Sequence, residues 1–96
     1  MSSKHAFVDD LKARLDKLDN DLSQLEARAQ QAKAEARTAY EAKLAMLRAQ
    51  RDQAKQKYNE LRAAGDQAWE HLKQGADDAW ADLKSALDKA RSEFRS

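Results

Sequence analysis

Not one proline interrupts the 96-residue chain, and glycine occurs only at Gly65 and Gly75. An interior proline costs an α-helix about 3 kcal/mol. Without one, helix is open to nearly the whole length, from about Ser3 to about Phe94, with the two glycines as weak points. At ~1.5 Å per residue an unbroken helix of that span would exceed roughly 130 Å. Such a rod has no interior of its own, so an apolar stripe along it must be buried against something else. Ala, Leu, Lys, Arg, Asp, Glu and Gln dominate the chain, a composition of long helices. The expected fold is all-α: one or two long amphipathic helices forming a coiled coil or helical bundle by self-association. The length suits a single helical domain over 1–96.

Residues 8–36 carry a heptad-like pattern. Val8, Leu11, Leu15, Leu18, Leu22 and Leu25 alternate spacings of three and four, the rule of a coiled-coil seam. The seam continues as Ala29, Ala32 and Ala36, where a partner backbone can come closer. Ser2 or Ser3 is the natural N-cap, since a serine oxygen accepts an orphan amide of the first turn. Near Tyr40 the spacing changes. Ala36, Tyr40 and Leu44 are each four apart, and the stripe resumes as Leu47, Arg51, Ala54, Tyr58 and Leu61. Extra fours shift a seam around the helix and relax its left-handed supercoil. Nine alanines between 27 and 49 form helix well but bury little area each.

The C-terminal part repeats every eleven residues: YNELRAAGDQA (58–68), WEHLKQGADDA (69–79), WADLKSALDKA (80–90), then RSEFRS. Tyr58, Trp69 and Trp80 share one position, and Leu61, Leu72, Leu83 and Phe94 another. Arg62, Lys73, Lys84 and Arg95 share a third, and Asp66, Asp77 and Asp88 a fourth. Eleven residues in three turns keep a stripe on one face with little supercoiling. Base and acid stand four apart, so Arg62–Asp66, Lys73–Asp77 and Lys84–Asp88 are set to pair weakly along a helix. Gly65 could end one helix with Asp66 capping the next. The register nevertheless passes through Gly65 in phase, which favours a continuous or merely bent helix over a turn.

Charge is arranged in blocks. Residues 1–26 carry four bases and six acids, the basic middle 27–57 eight bases and three acids, and 58–96 six bases and eight acids, for a net +1 overall. A parallel dimer would lay basic middle on basic middle. A hairpin or staggered antiparallel pairing would set acidic ends against it, a bias of register because surface pairs are weak and screened.

Several functions are excluded or disfavoured. With no cysteine there is no disulfide framework and no thiolate metal site. There is no glycine-rich phosphate loop and no strand for a nucleophile elbow. The expectation is a non-enzyme without catalytic, cofactor or metal residues and without a small-molecule substrate. His5 and His71 read as solvated surface residues, since adjacent Glu70 and His71 lack the Glu-x-x-His spacing of a bundle metal site. No apolar run approaches a membrane span, and none resembles a secretory leader. The bases Lys33, Arg37, Lys43, Arg48, Arg51, Lys55 and Lys57 spread around the helix, which disfavours nucleic acid.

The candidate self-association interface is Leu11, Leu15, Leu18, Leu22, Leu25, Tyr58, Leu61, Trp69, Leu72, Trp80, Leu83, Leu87 and Phe94, anchored by large apolar side chains. The alternative for 58–96 is a peripheral lipid-surface helix with its aromatics at the acyl boundary. Its net charge of −2 argues against that on anionic membranes.

The leucine heptads, the run YEAKLAMLRAQRDQAKQKYNELRAAGDQAWEHLKQG (40–75) and the second tryptophan in DDAWADLKSAL (77–87) together resemble a group of small bacterial coiled-coil proteins. Some members carry the label of stress-response proteins. The stretch Gly-Asp-x-Ala-Trp-Glu-x-Leu-Lys at 65–73 is the most specific part. The resemblance implies a cytoplasmic, helical, non-enzymatic protein and supplies no substrate, cofactor or site residue. The function expected is that of a self-assembling homo-oligomer with a structural or interaction role, stress-related by the resemblance, with membrane-surface binding as the competitor.

Overall fold

Helix-forming sequence yields helix almost throughout, but in three pieces. The computed structural model describes residues 3–94, with α1 (Ser3–Gln31), α2 (Ala34–Ala63) and α3 (Ala68–Glu93). α1 begins at Ser3, while Ser2 and Arg95 lie outside the described residues. The all-α expectation holds. One or two long helices do not: the chain folds back twice, and its extents of 50 × 17 × 17 Å replace the rod.

The first break falls at Ala32–Lys33, where Lys33 is extended at φ −63°, ψ 153°. The second spans 64–67. Ala64 is extended there at φ −73°, ψ 145°, and its amide donates back to the Leu61 carbonyl. Gly65 therefore lies in a turn rather than in a continuous helix, and the eleven-residue register through it reflects repetition of sequence, not of structure. The physical reason is burial. A single stripe three helices long has nothing to cover it, whereas two folds lay each third of the stripe on the other two.

Contacts between named residues fix the directions. The Lys4 ammonium donates to the Ala64 carbonyl, so the start of α1 meets the end of α2. Lys55 pairs with Asp19 and Arg48 with Glu26, so the partners in α2 move back toward the turn as α1 advances, and α1 and α2 run antiparallel. Tyr40 stacks on Phe94 with ring centroids 4.1 Å apart, which makes α3 antiparallel to α2. Phe7 meets Trp69 and Arg91 meets Asp21, so α1 and α3 are parallel.

One core runs the length of this bundle. α1 contributes Val8, Leu11, Leu15, Leu18, Leu22, Leu25 and Ala29; α2 contributes Leu44, Leu47, Ala54 and Leu61. Trp69, Ala76, Leu83, Leu87, Ala90 and Phe94, the C-cap of α3, complete it. Within α3 four of the five buried residues recur every seven, Trp69, Ala76, Leu83 and Ala90, with Leu87 four after Leu83. Heptad geometry decides the packing of α3, since a neighbour helix presents holes at that period.

Candidate functional site

The thirteen residues expected at an interface between chains converge inside one chain. Leu11, Leu15, Leu18, Leu22, Leu25, Leu61, Trp69, Leu83, Leu87 and Phe94 are buried in the core. Tyr58, Leu72 and Trp80 are partly buried and pack against it. Their burial requires no second copy. The spacing argument found these residues because it asks only which side chains must leave water, and it is indifferent to whose helix covers them. Ala76 and Ala90 were not among the candidates; their seven-residue spacing from Trp69 and Leu83 was the signal that could have found them.

Charge follows the same geometry. Basic α2 lies against two helices with acidic excess. Asp19 of α1 accepts from Lys55 at 2.9 Å and lies 3.6 Å from Arg51. Arg48 pairs with Glu26 at 3.2 Å, and Lys43 with Glu93 at 3.4 Å. Arg91 of α3 reaches Asp21 of α1 at 3.7 Å. The antiparallel arrangement of acidic and basic blocks, read from sequence as a property of assembly, is thus realised by the fold of a single chain. Each pair is partly solvated and contributes no more than about 1 kcal/mol, so together they select partners and register more than they stabilise.

Along the helices, Lys84 pairs with Asp88 at 3.3 Å as expected from the repeat. Lys73 instead lies over the rings of Phe7 and Trp69, 5.6 and 5.8 Å from their centroids. Arg62 lies over Tyr58 at 5.7 Å, and Asp66 is drawn into the turn, beyond helical reach of Arg62. Lys12 donates to Asp16 at 2.9 Å, and that hydrogen bond holds its ammonium above the ordinary lysine value. His5 and His71 are exposed.

The parallel pair α1 and α3 leaves a shallow groove of about 430 Å³ between them. Leu18 and Leu87 form its floor, Trp80 one wall, and Arg14, Lys17, Lys84 and Arg91 its rim, with Asp21 and Asp88 interspersed. The Arg14 guanidinium sits 5.9 Å from the Trp80 ring and pairs with Asp10 at 2.8 Å. Most of the rim is thus engaged within the bundle, and the groove is a wet, mixed-charge slot. Met46 stands 61% exposed beside a second groove, between α2 and α3. Among the described residues no helix is long and apolar enough to cross a membrane.

The fold defines an all-α, three-helix protein whose surface is a lattice of charge pairs. No family model matches the chain, and neither a curated protein nor a solved structure matches it significantly.

Proposed function

We propose that this chain is a non-enzymatic helical protein with a structural or interaction role, able to assemble with second copies of itself. The observation that carries the reading is the complementarity of its own helices. Acidic α1 fits basic α2 through Asp19, Glu26, Arg48, Arg51 and Lys55, and a matching leucine seam fills the space beneath. A surface coded to recognise α1 recognises the α1 of any copy. The stress-related and cytoplasmic attributes belong to this proposal through the sequence resemblance alone.

Lipid-surface binding through 58–96 is the competitor, and it carries a conformational demand. Trp69, Leu83, Leu87 and Phe94 face the protein core, so a lipid surface would have to draw α3 out of the bundle. Sedimentation over a wide concentration range, with and without anionic vesicles, tests the choice. Mass that grows with concentration in the absence of lipid supports self-assembly. A monomer at all concentrations that floats with vesicles overturns it in favour of the membrane.

A further inference from the structure

The connection between α1 and α2 is only Ala32 and Lys33, set within Ala29-Gln30-Gln31-Ala32-Lys33-Ala34-Glu35-Ala36. It contains no glycine, proline, asparagine, aspartate or serine, the residues that make turns. Alanine, glutamine, lysine and glutamate are instead among the strongest helix formers. The backbone has no special requirement here, since φ is negative at every non-glycine residue described. The helix is broken by extension at Lys33, and no side chain at that position caps α2. Arg37 bridges the turn: its guanidinium donates to the carbonyls of Gln30 at 2.9 Å and Ala32 at 3.3 Å. Apolar residues also continue across the turn at helical spacings: Leu25, Ala29, Ala32, Ala36, Tyr40 and Leu44 are three or four apart, the successive fours turning the stripe gradually around the helix.

We propose that the chain exchanges α1 with a second copy of itself. The turn at 32–33 straightens, and α1 and α2 fuse into one helix about 90 Å long. Each copy's α1 then packs on α2 and α3 of the other. This inference rests on the self-assembly reading and specifies its mode. The occupant is a second copy because the slot that α1 leaves carries α1's own complement: Lys55 and Arg51 for Asp19, Arg48 for Glu26, Arg91 for Asp21. Closed and exchanged forms make the same contacts in those slots and differ at the hinge. There the fused helix gains backbone hydrogen bonds and loses the two Arg37 contacts. A short connection with helix-forming residues is the setting in which swapping is favoured.

Two readouts test this on the full chain. A Glu26→Cys copy and an Arg48→Cys copy are mixed, denatured, refolded together at high concentration and treated with a short thiol–thiol crosslinker. Exchange brings the two sites of different copies together, so the dimer fraction yields a covalent hetero-pair. The second readout is Ala34→Pro. The closed hairpin accepts it, because the first helical residue has no amide partner to lose and Lys33 already holds the extended conformation required before proline. A fused helix would be broken at that point. The dimerisation constant is expected to fall by more than about a hundredfold, with monomer helicity unchanged. Arg37→Ala should raise the constant severalfold by releasing the turn. A dimer without the hetero-pair, or one indifferent to Ala34→Pro, overturns exchange and leaves assembly through outer faces. A monomer at every concentration overturns exchange and the self-assembly reading together.

Discussion

At the scale of single residues, the energetics concentrate in a few leucines. Leu61 and Leu83 are fully enclosed in the core, with no solvent exposure. Leu83→Ala removes about three methylene equivalents and leaves a void that rigid helices close only in part. The expected loss is about 3 kcal/mol, within the ~2–5 kcal/mol range of such changes, read from the midpoint of urea unfolding. Asp19 shows the other kind of residue. Its carboxylate serves both Lys55 and Arg51 while about a third exposed, so Asp19→Asn should cost about 1 kcal/mol or less in low salt, shrinking as salt is added. A loss that ignores ionic strength would mean that packing, not charge, is what Asp19 supplies. These residues were legible to different degrees. The leucines of α1 announce themselves by size and spacing. Ala76 and Ala90 do not, because alanine is as common on a helix surface as in a close contact, and only the neighbour's position separates the two.

At the scale of elements, the helices were legible and their ends were not. A helix end encoded by glycine, proline or a serine cap can be read; the end of α1 is encoded by none of these and arises from burial of the stripe it interrupts. Gly65 and Gly75 illustrate the same point from opposite sides. Gly65 sits in the second turn without a positive φ and with no atom near its Cβ position, so the turn does not depend on its being glycine. Gly75 lies inside α3, exposed, and a methyl group there would meet nothing within 4 Å. Gly75→Ala therefore removes backbone entropy from the unfolded chain without a steric penalty. It should stabilise by about 0.5–1 kcal/mol, seen as a higher melting temperature by circular dichroism. Destabilisation would indicate that α3 bends at this point in solution.

At the scale of the whole molecule, the difference between a rod and a bundle lies in who covers the apolar stripe, and periodicity is silent on that. A helix sequence states that one face must be covered; whether the cover comes from the same chain depends on two turns, of which Gly65 and Asp66 mark the second and no turn-forming residue marks the first. The charge blocks carried more information than the stripe, since acidic–basic–acidic order is satisfied by folding back. Tryptophan emission makes the distinction measurable. Trp69 is 6% exposed and packed within one chain, with Phe7 tilted against it at 6.3 Å. Its emission should be blue-shifted and should stay so on dilution to nanomolar concentrations, because no partner needs to dissociate to expose it. Trp80 is partly buried on the wall of the α1–α3 groove, so its emission should be redder and open to quenching by iodide, which the bases around it attract. Trp69→Phe and Trp80→Phe separate the two signals. A Trp69 signal that moves red on dilution would mean that a second chain holds the core closed. Helix exchange alone does not produce that shift, since the exchanged and closed forms bury Trp69 against the same residues.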